Sequence, residues 1–332
     1  MTTEPVLATS YLGLPLSGPV IASAGPNTRS VESLLALQEA GAAAVVLPSL
    51  FEEDVLAEEL RLVDAMEAGD DFAEFTAGPL PTIELPELGA DRHLRLLERA
   101  KAALDIPVIG SLNATRHGSW ERYATMMAAA GADALELNLY TVAADPTESA
   151  ADVEARQLEV ISSVRSSLEV PLAVKLSPFY SSFAQFAGAA SRSGADGLVV
   201  FNRFYAPDID LDAMAVAPQL ALSASADLRI ALRWLGILRA QLPGTGLAAT
   251  GGVHGWEDVV KALLVGADVA CTTAAVIQDG PAAITRMLSG LRDWLAEHDY
   301  ASVDQLRGSM SAASVPDPSA YERSQYREIV GR

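Results

Sequence analysis

Short runs of β-branched or small apolar residues recur along this chain, and each is followed by a segment of helical length in which polar residues return. Eight runs read as strands: Pro19 to Ser23, Ala44 to Leu47, Pro107 to Ser111, Ala134 to Asn138, Leu172 to Leu176, Gly197 to Phe201, Leu247 to Thr250 and Val269 to Thr272. They are nearly continuous in apolar character rather than alternating, the pattern of strands covered on both faces of a parallel sheet. Gly-Ala-Asp or a close variant precedes several of them, at Gly41-Ala42-Ala43, Gly131-Ala132-Asp133, Gly194-Ala195-Asp196 and Gly266-Ala267-Asp268. A glycine there ends the preceding helix in the left-handed conformation and turns the chain into the next strand. Eight βα units in series predict an α/β protein folded as a (β/α)8 TIM barrel.

The length of 332 residues exceeds a usual domain, but α/β barrels stay single and add insertions. The expected division is a barrel over residues 1–310, with an insertion after strand two, and a tail over 311–332 packed on its outside. No apolar run approaches the roughly 20 residues that span a bilayer. The N-terminus, Met1-Thr2-Thr3-Glu4-Pro5, lacks the basic start and apolar stretch of a signal peptide, so the expected location is the cytoplasm.

The formal charge of −20 is spread over segments such as Glu52-Glu53-Asp54 and Asp152 to Glu159. Such a surface repels phosphate backbones and argues against nucleic acid as a partner. The single cysteine, Cys271, precludes a disulfide framework, an iron–sulfur cluster or a cysteine zinc site within the chain. His93, His117, His254 and His298 have no ligand spacing, so no catalytic metal is expected. Gly244 to Ala249 mimics a dinucleotide fingerprint but precedes a strand instead of following one. Asp208-Ile209-Asp210-Leu211-Asp212 begins like a calcium loop, but Ala213 and Gln219 stand where the loop needs glycine and glutamate.

Polar residues instead collect at the C-terminal ends of the strands, where barrels place their chemistry. Ser23 follows strand one and Asn113 strand three; Asn138, Tyr140 and Thr141 follow strand four. Lys175 ends strand five, Asn202 and Arg203 follow strand six, Gly251 and Gly252 strand seven, and Thr273 strand eight. Lys175 lies between Val174 and Leu176, and an ammonium on a buried strand requires a partner or a shifted pKa. Bare glycines after strand seven, with Thr273 after strand eight, fit the phosphate grip of this architecture.

These residues, in this order, carry a resemblance to class 1 dihydroorotate dehydrogenases over nearly the whole chain. Tyr11 to Gly25 resembles the family's N-terminal hairpin and first strand, Leu135-Glu136-Leu137-Asn138-Leu139 its fourth strand and Val174-Lys175-Leu176-Ser177-Pro178 its fifth. Thr250-Gly251-Gly252-Val253 with Gly266-Ala267-Asp268 resembles its phosphate end. The resemblance implies FMN held non-covalently in the barrel mouth. Lys175 would lie at the N1/C2 carbonyl edge of the flavin, Ala22 and Ser23 against the ring system, and Gly251, Gly252, Thr273 and Ala274 around the phosphate. Asn113 and Asn138 would bond the flavin's pyrimidine portion or the substrate, and Asn202 the substrate.

The sequence departs from the family where substrate is read. Thr141 stands in place of the cysteine that removes a proton, with Tyr140 a second candidate, and the asparagine that follows is absent. The family's lysine-serine pair after strand two is Pro48-Ser49, so only Ser49 carries over. Its asparagine-rich loop is replaced by an acidic segment from Phe51 to Gly89. Arg203 stands where a serine or threonine is expected, either clamping a carboxylate or making a surface salt bridge.

The implied activity is hydride transfer between flavin N5 and a C–C bond beside a carbonyl in a small cyclic amide or acid, dihydroorotate being the leading candidate, in pyrimidine metabolism. Electrons would pass to a soluble acceptor or a partner redox protein, and the resemblance implies a homodimer. Two other readings stay open. The chain is a flavoprotein subunit of a larger redox complex, or Lys175 is the Schiff-base nucleophile of a lyase or aldolase.

Overall fold

A computed structural model describes residues 4–51, 89–114, 120–139, 141–203, 207–217 and 221–323. Eight parallel strands close into a barrel in chain order. They are β3 (Val20–Ala22), β4 (Ala44–Phe51), β5 (Val108–Ala114), β6 (Ala134–Leu139), β7 (Leu172–Leu176), β8 (Gly197–Val200), β11 (Gly246–Ala249) and β12 (Val269–Thr272). The expected TIM barrel is therefore the observed fold. Strand limits move by a few residues, most at β4 and β5, which run on to Phe51 and Ala114. A register shift between Val46 and Ser49 lets β4 continue past Pro48, which has no N–H to give the ladder.

Alternation along the strands sorts their side chains between two cores. Leu135, Leu137, Leu172 and Val174 face the surrounding helices, while Ala134, Ala173, Val199 and Ala248 fill the barrel. Small residues inside leave space for a plug from below. A hairpin of β1 (Thr9–Tyr11) and β2 (Leu14–Leu16) turns through Leu12 and Gly13, both at positive φ, and closes the N-terminal end of the barrel. Any Cβ at Gly197 would lie 2.6 Å from Leu12, and one at Gly246 3.2 Å from the Tyr11 ring.

The glycines of the repeated tripeptide all have positive φ, between 98° and 117° at Gly41, Gly131, Gly194 and Gly266, as a helix-ending role requires. The aspartates carry a second function. Asp133, Asp196 and Asp268 accept the backbone N–H of Val108, Leu172 and Leu247, at the start of the neighbouring strand, at 2.7, 2.8 and 2.7 Å. Each also meets a cation from the helix before that strand. These are Lys101 on the helix Gly89–Ala103, Arg165 on the helix Ala150–Ser166 and Arg239 on the helix Leu228–Gln241, at 2.7 to 3.0 Å. Helix, strand and the next unit are thus tied together three times at the bottom of the barrel, away from its mouth.

Two additions complete the described chain. Val303 and Leu306 bury against the barrel, and Val6 bridges to Ser302. After β8, strands β9 (Asp208–Asp210) and β10 (Ala215–Ala217) form a hairpin. Asp210 Oδ1 accepts from Asp212 N and Ala213 N at 2.9 Å each, so the aspartates that imitate a calcium loop shape a turn. No group of metal-ligating side chains occurs among the described residues, and no described helix is long and apolar enough to cross a membrane.

Candidate functional site

The two-residue period of the strands decides which polar side chains enter the barrel. Ala134, Glu136 and Asn138 share the inward face of β6, Ala173 and Lys175 that of β7, and Ile109, Ser111 and Asn113 that of β5. In register, Asn113 lies beside Asn138 and Asn138 beside Lys175, so three predicted residues stand side by side at the strand ends.

Below that row, Lys175 Nζ donates to Glu136 Oε1 at 3.3 Å, with the side chains 12% and 3% exposed. The required partner of the buried lysine is therefore a glutamate on the preceding, neighbouring strand. Asn138 Nδ2 donates to Ser111 Oγ at 2.9 Å, Ser49 Oγ at 3.1 Å and Leu112 O at 3.2 Å, and the two serine hydroxyls meet at 2.8 Å. Since a carbonyl only accepts, Leu112 O fixes which end of the Asn138 amide is the nitrogen. Two buried acceptors, Ser23 Oγ and Asn113 Oδ1, have no hydrogen-bond partner among the described residues.

A cleft of about 250 Å³ opens at this mouth, and Lys175, Cys271, Gly251, Gly252, Thr273 and Ala274 are among the residues that line it. Gly252 has φ +112°, and a Cβ there would lie 2.6 Å from Leu228 N and 2.9 Å from Ala224 O. Asp258 fixes this corner. Its Oδ2 accepts from Ser225 Oγ at 2.7 Å, His254 N at 3.0 Å and Gly255 N at 3.1 Å. Arg203 borders both this cleft and a neighbouring one of about 360 Å³. Its guanidinium lies 3.6 Å from Asp227, both half-exposed, so the salt-bridge alternative for Arg203 is present in the structure.

Lys175, Asn202, Arg203, Gly251, Gly252, Thr273 and Ala274 therefore come together in one cleft. Ser49 and Asn138 form the hydrogen-bonded cluster beside it, and Ala22 and Ser23 sit buried at the end of β3. Thr141 is half-buried after β6 and lines neither cleft. Tyr140 and most of the acidic segment after strand two, residues 52–88, lie outside the described residues. Sequence reasoning missed Glu136 and Ser111, although each shares the parity of an asparagine it did single out. It also missed that Cys271 lines the cleft.

Burial, reinforced by the Glu136 charge and opposed by Lys175, pushes the Cys271 thiol up to about 12. The thiol is thus neutral and poorly nucleophilic at ordinary pH. Burial, then Cys271, Glu136 and Asp268, likewise pushes the Tyr11 phenol well above its usual range. A thiol reagent such as DTNB at pH 8 should leave the native chain unlabelled over a time in which the denatured chain reacts fully. Because Cys271 is the sole cysteine, fast labelling of the native chain would contradict the burial described here.

Comparison with known proteins adds a family. The family model for dihydroorotate dehydrogenase matches residues 67–295. The chain is 27% identical over 318 residues to the dihydroorotate dehydrogenase B (NAD(+)) catalytic subunit of Methanothermobacter thermautotrophicus, covering 91% of this chain and 98% of the relative. It is 28% identical over 317 residues to the protein of the same name from Pyrococcus abyssi, with the same coverage. Against the NAD-dependent dihydropyrimidine dehydrogenase subunit PreA of Escherichia coli K12 the identity is 27% over 251 residues, 70% of this chain and 60% of that relative.

Proposed function

This chain belongs to the dihydroorotate dehydrogenase family, and from that membership we propose that it is an FMN-dependent oxidoreductase acting on a C–C bond beside a carbonyl in a small cyclic amide or acid. The observation that carries the reading is the cleft at the barrel mouth, whose lining includes both Lys175 and the bare backbone of Gly251 and Gly252. The residues present fit FMN. Ser23 Oγ and Asn113 Oδ1 are buried acceptors without a partner among the described residues. Gly251 and Gly252 add to the cleft lining a stretch of backbone with no side chains over it.

Bound FMN supplies two-electron hydride chemistry. The chain's part is to hold and polarise. Lys175 offers positive charge where the reduced ring becomes negative, and Gly251, Gly252, Thr273 and Ala274 take the phosphate. Ser49, Ser111 and Leu112 spend the Asn138 amide hydrogens, which locks that side chain in place beside Lys175. Asn113, Asn138, Asn202 and Arg203 are the proposed substrate contacts, with Arg203 leaving Asp227 to meet a carboxylate. Thr141 or Tyr140 is the proposed proton-transfer group. A threonine hydroxyl is a far weaker base than a thiol and needs activation.

Anaerobic titration of the FMN-loaded protein with dihydroorotate and, separately, with dihydrouracil tests the substrate. Bleaching of the flavin band by dihydroorotate supports a carboxylate-bearing ring, and bleaching by dihydrouracil alone supports a neutral one. Full bleaching by dithionite with neither compound effective rejects both as substrates.

A second reading, that the chain is one subunit of a larger redox complex, has its own observation. The β9–β10 hairpin exposes Ile209, Leu211, Met214 and Val216, each more than half accessible, and an isolated two-stranded hairpin is marginal by itself. Two of the relatives above are named as catalytic subunits and one as a subunit. Electrons would then leave through a partner redox protein rather than a small soluble acceptor.

A further inference from the structure

Lys175 lines the cleft, whereas Glu136 is absent from its lining and touches the lysine instead. The two are not register neighbours. Glu136 lies opposite Ala173, and Lys175 opposite Asn138, so the ion pair runs diagonally between β6 and β7 over the small Ala173 side chain. Cys271 and Tyr11 both feel the Glu136 charge, and burial favours the neutral form of each. Glu136 is the one carboxylate within ion-pair distance of this ammonium among the described residues.

Resting on the FMN reading above, we propose that Glu136 is a positioning residue. Through its ion pair it fixes where the Lys175 ammonium stands and how much of its positive charge the bound cofactor feels, and so it sets the reduction potential. A lysine with no counter-charge favours negative charge on a reduced ring more than a paired one does, because in a buried site little solvent screens either partner. The family resemblance accounts for a lysine here. The glutamate's part follows from the 3.3 Å contact and from its 3% exposure.

The test measures FMN binding and the two-electron midpoint potential of the loaded wild type, Glu136→Gln, Glu136→Asp, Lys175→Met and the double variant Glu136→Gln/Lys175→Met. Glu136→Gln should shift the reduced-to-oxidised ratio at fixed potential about tenfold toward reduced, equal to about 30 mV for a two-electron couple. Glu136→Asp, which keeps the charge, should stay within about twofold of wild type, a shift of about 10 mV on the same scale. The double variant should match Lys175→Met, since Glu136 acts through the lysine.

An unchanged potential in Glu136→Gln overturns the proposal and leaves the FMN reading intact. So does a shift that survives undiminished in the Lys175→Met background, which would make the glutamate act directly on the ring. Should Lys175→Met not fold, the contrast between Glu136→Gln and Glu136→Asp still decides. A wild-type chain that takes up no FMN overturns the functional reading, and the proposal with it.

Discussion

Lys175→Met should weaken both the fold and the chemistry. The substitution leaves Glu136, 3% exposed, without its partner, and stranding one member of a buried ion pair costs about 3–5 kcal/mol. Removing a charge that stabilises the reduced ring should slow substrate-driven flavin reduction about 10²- to 10³-fold, the range for losing one preorganised electrostatic contact. Denaturant unfolding and stopped-flow reduction measure the two effects separately. Adding Glu136→Gln to Lys175→Met should restore most of the stability, because both charges are then gone, and none of the rate. Recovery of the rate in the double variant would contradict a role for Lys175 at the cofactor.

Gly252→Ala should rank second in effect. The new methyl group would meet Leu228 N and Ala224 O at 2.6 and 2.9 Å in a backbone with φ +112°, a strain of about 1–3 kcal/mol. If the segment around Ala224 yields, the phosphate corner opens, and FMN affinity should fall about 10- to 100-fold for the same energy. Flavin fluorescence during titration of the apoprotein reads this directly. Gly244→Ala is the control. It has nothing within 4 Å of a new Cβ, so stability should move by less than about 0.5 kcal/mol and FMN affinity should stay put.

The barrel was legible because strands covered on both faces leave a sustained apolar run, and because Gly41, Gly131, Gly194 and Gly266 mark where four of the eight units close. The aspartates of the same tripeptide were visible as residues but not as bonds. Their partners, Lys101, Arg165 and Arg239, lie about 30 positions earlier, a distance that becomes contact only when helix and strand pack antiparallel. Lys175 stood out as a charge among apolar neighbours, yet Glu136, equally a charge between two leucines, was read only as part of a matching strand. What joins them is the parallel pairing of β6 with β7, whose register sets both side chains on the inward face, a spatial relation that 39 positions of sequence do not display.

Arg203 shows the opposite limit. The sequence left its two uses open, and the structure shows the ion pair with Asp227 while keeping the guanidinium at the edge of both clefts. The calcium-like spacing of Asp208, Asp210 and Asp212 does not reveal that these residues enter an exposed apolar hairpin. The same spacing suits a loop or a turn, and only the pairing of Asp208–Asp210 with Ala215–Ala217 decides between them.

The most direct test of the account is the visible absorption spectrum of the purified chain after reconstitution with FMN and removal of unbound cofactor, followed by heat release and quantitation. An oxidised-flavin spectrum and about one FMN per chain are expected, with the cofactor released unmodified as non-covalent binding requires. A colourless, folded protein that retains no FMN would contradict it.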